Sequence, residues 1–162
     1  MWKYIVIHHS LTKDGKVVDT QAIRRYHMSW AYRNNIVSRE KAMQLIASGK
    51  RVKRPWIDIG YHFVSETIIN NDWEILVGRV LNQVGAHTRG RNRDSLGICA
   101  VGNYDIIKPP EELIMKLSKF TKSLMEVFDI PISNVLGHCE INSNKTCPGR
   151  MFDLNSFRRR LS

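Results

Sequence analysis

Long hydrophobic runs are missing from this sequence. No apolar stretch approaches the roughly 18 residues that a bilayer-spanning helix needs, which excludes such a helix. Cysteine is scarce and odd in number, 3 in 162 residues. That excludes a disulfide framework and fits a reducing compartment. Acidic residues are also few, 15 against 25 Lys and Arg, for a net charge of +10. The deficit is local: residues 1–55 hold 12 basic against 3 acidic side chains, and the remainder 13 against 12. A one-sided basic region suits a polyanionic partner such as nucleic acid, acidic lipid or an anionic wall polymer, although such charge also serves solubility alone. Low-complexity tracts, internal repeats and linkers are absent, and the length suits one domain, 1–162, with one core. The opening "MWKYIVIHHS" is too short and too polar for a signal peptide, so synthesis and retention in the cytoplasm are expected.

What is present alternates imperfectly between strand and helix signals. "WKYIVIHH" is β-branched, aromatic and short, a strand entering the core. "DTQAIRRYHMSW" carries a capping Asp or Thr and apolar residues at helical spacing, and "SREKAMQLIASGK" has Ser38 as N-cap and Gly49 as a stop. From Tyr61 the period changes to short β-type runs, "YHFVSETIIN", "WEILVGRV" and "SLGICAVGNYD". "PPEELIMKLSKFTKSLMEVF" is the clearest helix, with Pro110 in its first turn and Leu113, Leu117, Phe120, Leu124 and Phe128 as a core stripe. "NVLGH" adds a short strand and "DLNSFRRRL" a last helix. The expected class is α/β: one domain with a central mixed sheet flanked by helices, not a regular doubly wound fold.

Chemistry concentrates in "GHCEINSNKTCPGR", Gly137 to Arg150. Zinc takes His nitrogen and Cys sulfur, and a catalytic site keeps three protein ligands and one open place. His138 and Cys147 lie nine apart, so a loop turned by Pro148 could bring them together, with His8 or His9 at a strand end as third ligand. The competing reading is that a free cysteine is a small buried hydrophobe, as expected for Cys99 in "LGICAV". Cys139 would face away from His138 if the strand continued. Glu140 is a spare candidate base or a structural carboxylate, while His62 and His27 read as packing histidines.

Taken together and in order, "IVIHHS", "DIGYHF", "VGAHTRGRNRDSLGICAVGNYD" and "GHCEINSNKTCP" resemble the type 2 N-acetylmuramoyl-L-alanine amidases, a family of phage endolysins and animal peptidoglycan recognition proteins. The similarity runs through most of residues 4–155. It implies one zinc ion held by His8, His138 and Cys147, with His9 turned to the other face. It implies Tyr61 and Lys145 as catalytic residues, Lys145 stabilising an oxyanion and Tyr61 positioning by hydrogen bond. It also places His87 at the cleft, with Arg79, Asn92, Arg89 and Ser95 along the same groove.

The implied reaction cuts the amide between N-acetylmuramic acid and L-alanine of peptidoglycan. A signal-free, basic chain with no separate wall-binding domain fits an endolysin, a monomer released to the wall through a holin. The alternatives are a non-catalytic recognition module and a wall-recycling amidase. Members of those groups depart at the cysteine ligand, and Cys147 is present here. No nucleic-acid motif supports the charge-based third option. Relative to shorter members, residues 31–55 are an insert holding the second helix and the run "KRVKRP", expected to attract anionic wall or outer-membrane polymers through Lys50, Arg51, Lys53 and Arg54.

Overall fold

The computed structural model describes residues 1–11, 19–68 and 72–162. Strand β1 (Tyr4–His9) is buried on both faces from Ile5 onward, as its unbroken apolar run requires. It lies between β6 (Ser95–Ala100) and β7 (Val135–Gly137), parallel to both. Outside β6 lies β4 (Phe63–Thr67), again parallel, and β5 (Trp73–Val77) closes that edge antiparallel. The order β5-β4-β6-β1-β7 is the expected mixed sheet.

Helices cover both faces. On one, α3 (Glu111–Phe128) and α5 (Leu154–Arg159) pack on Ile5, Ile7, Leu96 and Ile98. Leu113 and Leu117 are fully buried, each burial contributing about 1.5–3 kcal/mol. Phe120 completes the stripe by meeting Phe63 edge to face at 4.8 Å. Pro110 sits at the N-cap, one place before the first turn, and Asp129 ends the helix in the left-handed region at φ 55°. On the other face, α1 (Thr20–His27) places Ile23 over Val64, Cys99 and Val101. Asp19 caps α1 by accepting from the Ala22 amide at 2.6 Å.

The insert is built differently from its sequence expectation. Ser38 does cap α2 (Arg39–Ala47), accepting from the Lys41 amide at 3.2 Å. Ahead of it stands a hairpin, β2 (Ala31–Tyr32) and β3 (Asn35–Ile36), turned by Arg33 and Asn34 at φ 49° and 64°. Two positive φ values give a primed turn, whose usual Asn-Gly signature is absent. Lys53 is also not the free cation expected. Its ammonium donates to the carbonyls of Tyr26 at 3.0 Å, His27 at 2.8 Å and Ser29 at 3.0 Å, closing the C-terminal end of α1. No helix among the described residues is long and apolar enough to cross a membrane.

Candidate metal centre

The three parallel strands β6, β1 and β7 carry their carboxyl ends to one edge of the sheet, where α/β folds present their sites. His8 arrives there on the α1 face and is buried. His9, one pleat on, points the other way, and its Nδ1 accepts from the Tyr104 amide at 3.1 Å. After Gly137 the chain turns into a short helix, α4 (His138–Ile141), instead of continuing as strand. Glu140 enforces that turn: its Oε2 accepts from the Gly137 amide at 2.7 Å and pairs with Arg158. Glu140 is therefore a structural carboxylate, not a base facing the centre. The loop then folds back. Lys145 N–H donates to Asn142 O at 2.9 Å, and Cys139 N–H donates to Cys147 O at 2.8 Å.

This fold-back gathers His8, His138 and Cys147, whose ligand atoms all lie within 4.8 Å of one another. His8 Nδ1 stands 3.5 Å from Cys147 Sγ, and the two imidazole centroids are 4.8 Å apart. Tetrahedral zinc with nitrogen and sulfur ligands separates its donors by about 3.4–3.6 Å; the donor set fits, and the His8 Nδ1–Cys147 Sγ pair already stands at that spacing. The protonation pattern fits as well. Burial first, then the neighbouring His87, His138 and His9, holds the His8 pKa well below the usual imidazole value. Burial and the Lys145 ammonium lower that of His138. Both rings are neutral and able to ligate at pH 7. Burial pushes the Cys147 thiol up to about 12, against the His9 N–H that donates to Sγ at 3.2 Å. A metal ion bound there would take the place of that proton.

Tyr61 stacks beside the cluster, its ring centroid 5.1 Å from that of His8. Burial, followed by Cys99 and Cys147, raises its pKa well above that of an ordinary phenol. Its hydroxyl keeps its proton at pH 7. His27 supports it from behind with ring centroids 5.6 Å apart, and accepts from the Gly60 amide at 3.0 Å, one residue before Tyr61. Lys145 is exposed, and its charge reaches both His138 and Cys147.

The residues expected along a substrate groove are mostly interior. Arg79 is 3% exposed, and its guanidinium donates to the carbonyls of Ile59 at 2.9 Å, Asp58 at 3.2 Å and Val84. It braces the loop and is not free for substrate. Ser95 is fully buried and donates to Arg91 O at 2.6 Å. Asn92 Oδ1 accepts from the amides of His87 at 2.8 Å and Thr88 at 2.7 Å, so it shapes the loop. His87 lies behind His8, its Nδ1 3.1 Å from His8 Nε2. Arg89 is exposed. Sequence reading missed Thr88, whose hydroxyl lies 3.2 Å from His8 Nε2; a threonine beside a loop histidine gives no local sign of that contact.

The profile of the N-acetylmuramoyl-L-alanine amidases matches residues 1–150. The chain belongs to this amidase family. It is 27% identical to the endolysin of Enterobacteria phage K11 over 157 residues, covering 91% of this chain and 80% of that one. It is 31% identical to the endolysin of Escherichia phage T7 over 101 residues, 62% of this chain and 48% of that one. The chain thus spans most of the first relative and about half of the second. Among solved structures, the endolysin amidase LysCS from Clostridium intestinale superposes with a TM-score of 0.70 at 23% identity, over 99% of this chain and 83% of that one. That likeness establishes the shared amidase fold.

Proposed function

We propose that this amidase is a zinc-dependent endolysin that hydrolyses the amide between N-acetylmuramic acid and L-alanine of the peptidoglycan stem. The observation that carries the reading is the meeting of His8, His138 and Cys147 with Tyr61 and Lys145 beside them, from three separate stretches of chain. The two neutral imidazoles of His8 and His138 and the thiolate of Cys147 would hold a zinc ion with about one net positive charge, which would supply carbonyl polarisation and a more acidic water. Around it, the chain's own groups divide the work. The His9 amide holds Cys147 Sγ in place. Lys145 supplies a full positive charge where the carbonyl oxygen becomes an oxyanion, and Tyr61 Oη donates a hydrogen bond while keeping its proton. Purified peptidoglycan digested by the chain should gain free L-alanine amino ends and no new reducing sugars, and a chelator should stop the reaction until zinc is restored. New reducing ends would instead mark a glycosidase and overturn the reading.

The basic insert adds attraction to anionic wall polymers. With Lys53 engaged by carbonyls, that role passes to Arg33 and Arg51, which line a surface cavity of about 390 Å³ together with Tyr26 and Asn34. Replacing both arginines with alanine should lower adsorption to intact walls at low ionic strength. The difference should fade near 1 M salt, where the screening length falls to about 3 Å. Equal adsorption of both proteins at low salt would remove this role.

A further inference from the structure

We propose that His87 is a positioning residue that holds His8 in the tautomer presenting Nδ1 to the metal, and thereby sets metal affinity. The inference rests on the zinc reading above and concerns only this chain's groups. It starts from a backbone carbonyl, which can only accept. Ser95 O lies 3.3 Å from His87 Nε2, so that nitrogen carries the proton. In a neutral ring, His87 Nδ1 is then an acceptor. It faces His8 Nε2 at 3.1 Å and Thr88 Oγ1 at 3.1 Å. Two unprotonated nitrogens at that distance would repel, so His8 Nε2 carries the proton. The lone pair of His8 is left on Nδ1, the atom 3.5 Å from Cys147 Sγ. Thr88 Oγ1, 3.2 Å from His8 Nε2, is placed to accept a share of the same N–H.

The surroundings are built for that ring. A Cβ on Gly97 would meet His87 Cδ2 at 2.5 Å, and one on Gly85 would meet it at 2.6 Å. Only glycine at both places leaves room for the imidazole. Both ring nitrogens of His87 are engaged by protein atoms and the residue is 9% exposed, so it does not reach substrate. His62 has its tautomer set in the same way, by the Gly97 amide at 3.0 Å and Gln83 O at 3.1 Å, but it touches no ligand. His87 alone among the described histidines passes the order set by a backbone carbonyl to a metal-binding ring. Partners of this kind fix the ligand's orientation and raise its basicity.

The test is zinc affinity of the full chain, measured by competition with a chromophoric chelator. His87→Leu should weaken it by about 10- to 100-fold, the usual effect of losing such a partner. His87→Asn, which puts an acceptor oxygen near the place of Nδ1, should recover most of the loss. Long-range ¹H–¹⁵N NMR of the unaltered zinc-loaded protein should find the protons on Nε2 of both His8 and His87. This measurement needs no variant to fold. Protonated Nδ1 on His8, unchanged affinity in His87→Leu, or equal losses in the Leu and Asn variants would each overturn the proposal. If zinc binding depends on Cys147 yet ignores His87, this inference alone falls. If zinc binding ignores Cys147, the metal-site reading falls and takes this one with it.

Discussion

Cys147→Ser should remove most zinc affinity and, at limiting metal, nearly all wall hydrolysis. A serine hydroxyl does not deprotonate to give the anionic ligand that Cys147 becomes. Apparent binding free energies of about 10–16 kcal/mol for four-ligand structural zinc sites assign roughly 2.5–4 kcal/mol to each ligand. That is about 10²- to 10³-fold in affinity. Burial has already pushed the thiol up to about 12, so the metal must displace a firmly held proton. The sign of the pH effect follows. Between pH 7 and 9 the imidazoles are neutral and only the thiol loses a proton on binding, so affinity should rise about tenfold per pH unit in the unaltered chain. In Cys147→Ser that slope should flatten. Cys147→Asp, which restores an anionic donor, should recover part of the affinity. Melting temperatures measured in chelator separate a lost ligand from a damaged fold. Zinc affinity unchanged in Cys147→Ser would remove the metal centre as described.

Lys145→Ala should lower kcat by about 10²- to 10³-fold, the usual effect of losing one oxyanion donor, with little change in KM or zinc affinity. The reasoning is one of timing. The ground-state carbonyl carries little charge, so an ammonium beside it binds substrate weakly and the transition state strongly. Because Lys145 is exposed, its removal should shift stability by no more than about 0.5 kcal/mol. Lys145→Arg should retain part of the rate by keeping the charge. A variant that loses KM and keeps kcat would make Lys145 a binding residue instead.

Much of this could be read from local chemistry. The β1 run, the Asp19 and Ser38 caps and the α3 stripe each depend on neighbours a few residues away, and each stands where its residue types place it. The 31–36 hairpin did not announce itself, because Arg33 and Asn34 reach positive φ without the usual glycine. The α4 turn was hidden for a different reason: His138 leaves the strand because Glu140 and distant Arg158 hold the chain there. Lys53, Arg79 and His87 are the most instructive cases. Each reads as a cation or ring available to a ligand, and each is instead spent on carbonyls or on a neighbouring imidazole.

By itself, then, the order of residues determined which chemical groups this amidase owns and which strands and helices carry them, since propensity, capping and apolar spacing act over a few residues. Only the folded chain decided which polar groups face inward and which nitrogen of His8 looks toward Cys147. A buried polar group must find its hydrogen-bond partner wherever the fold supplies one, and for His8 those partners lie 79 and 80 residues away.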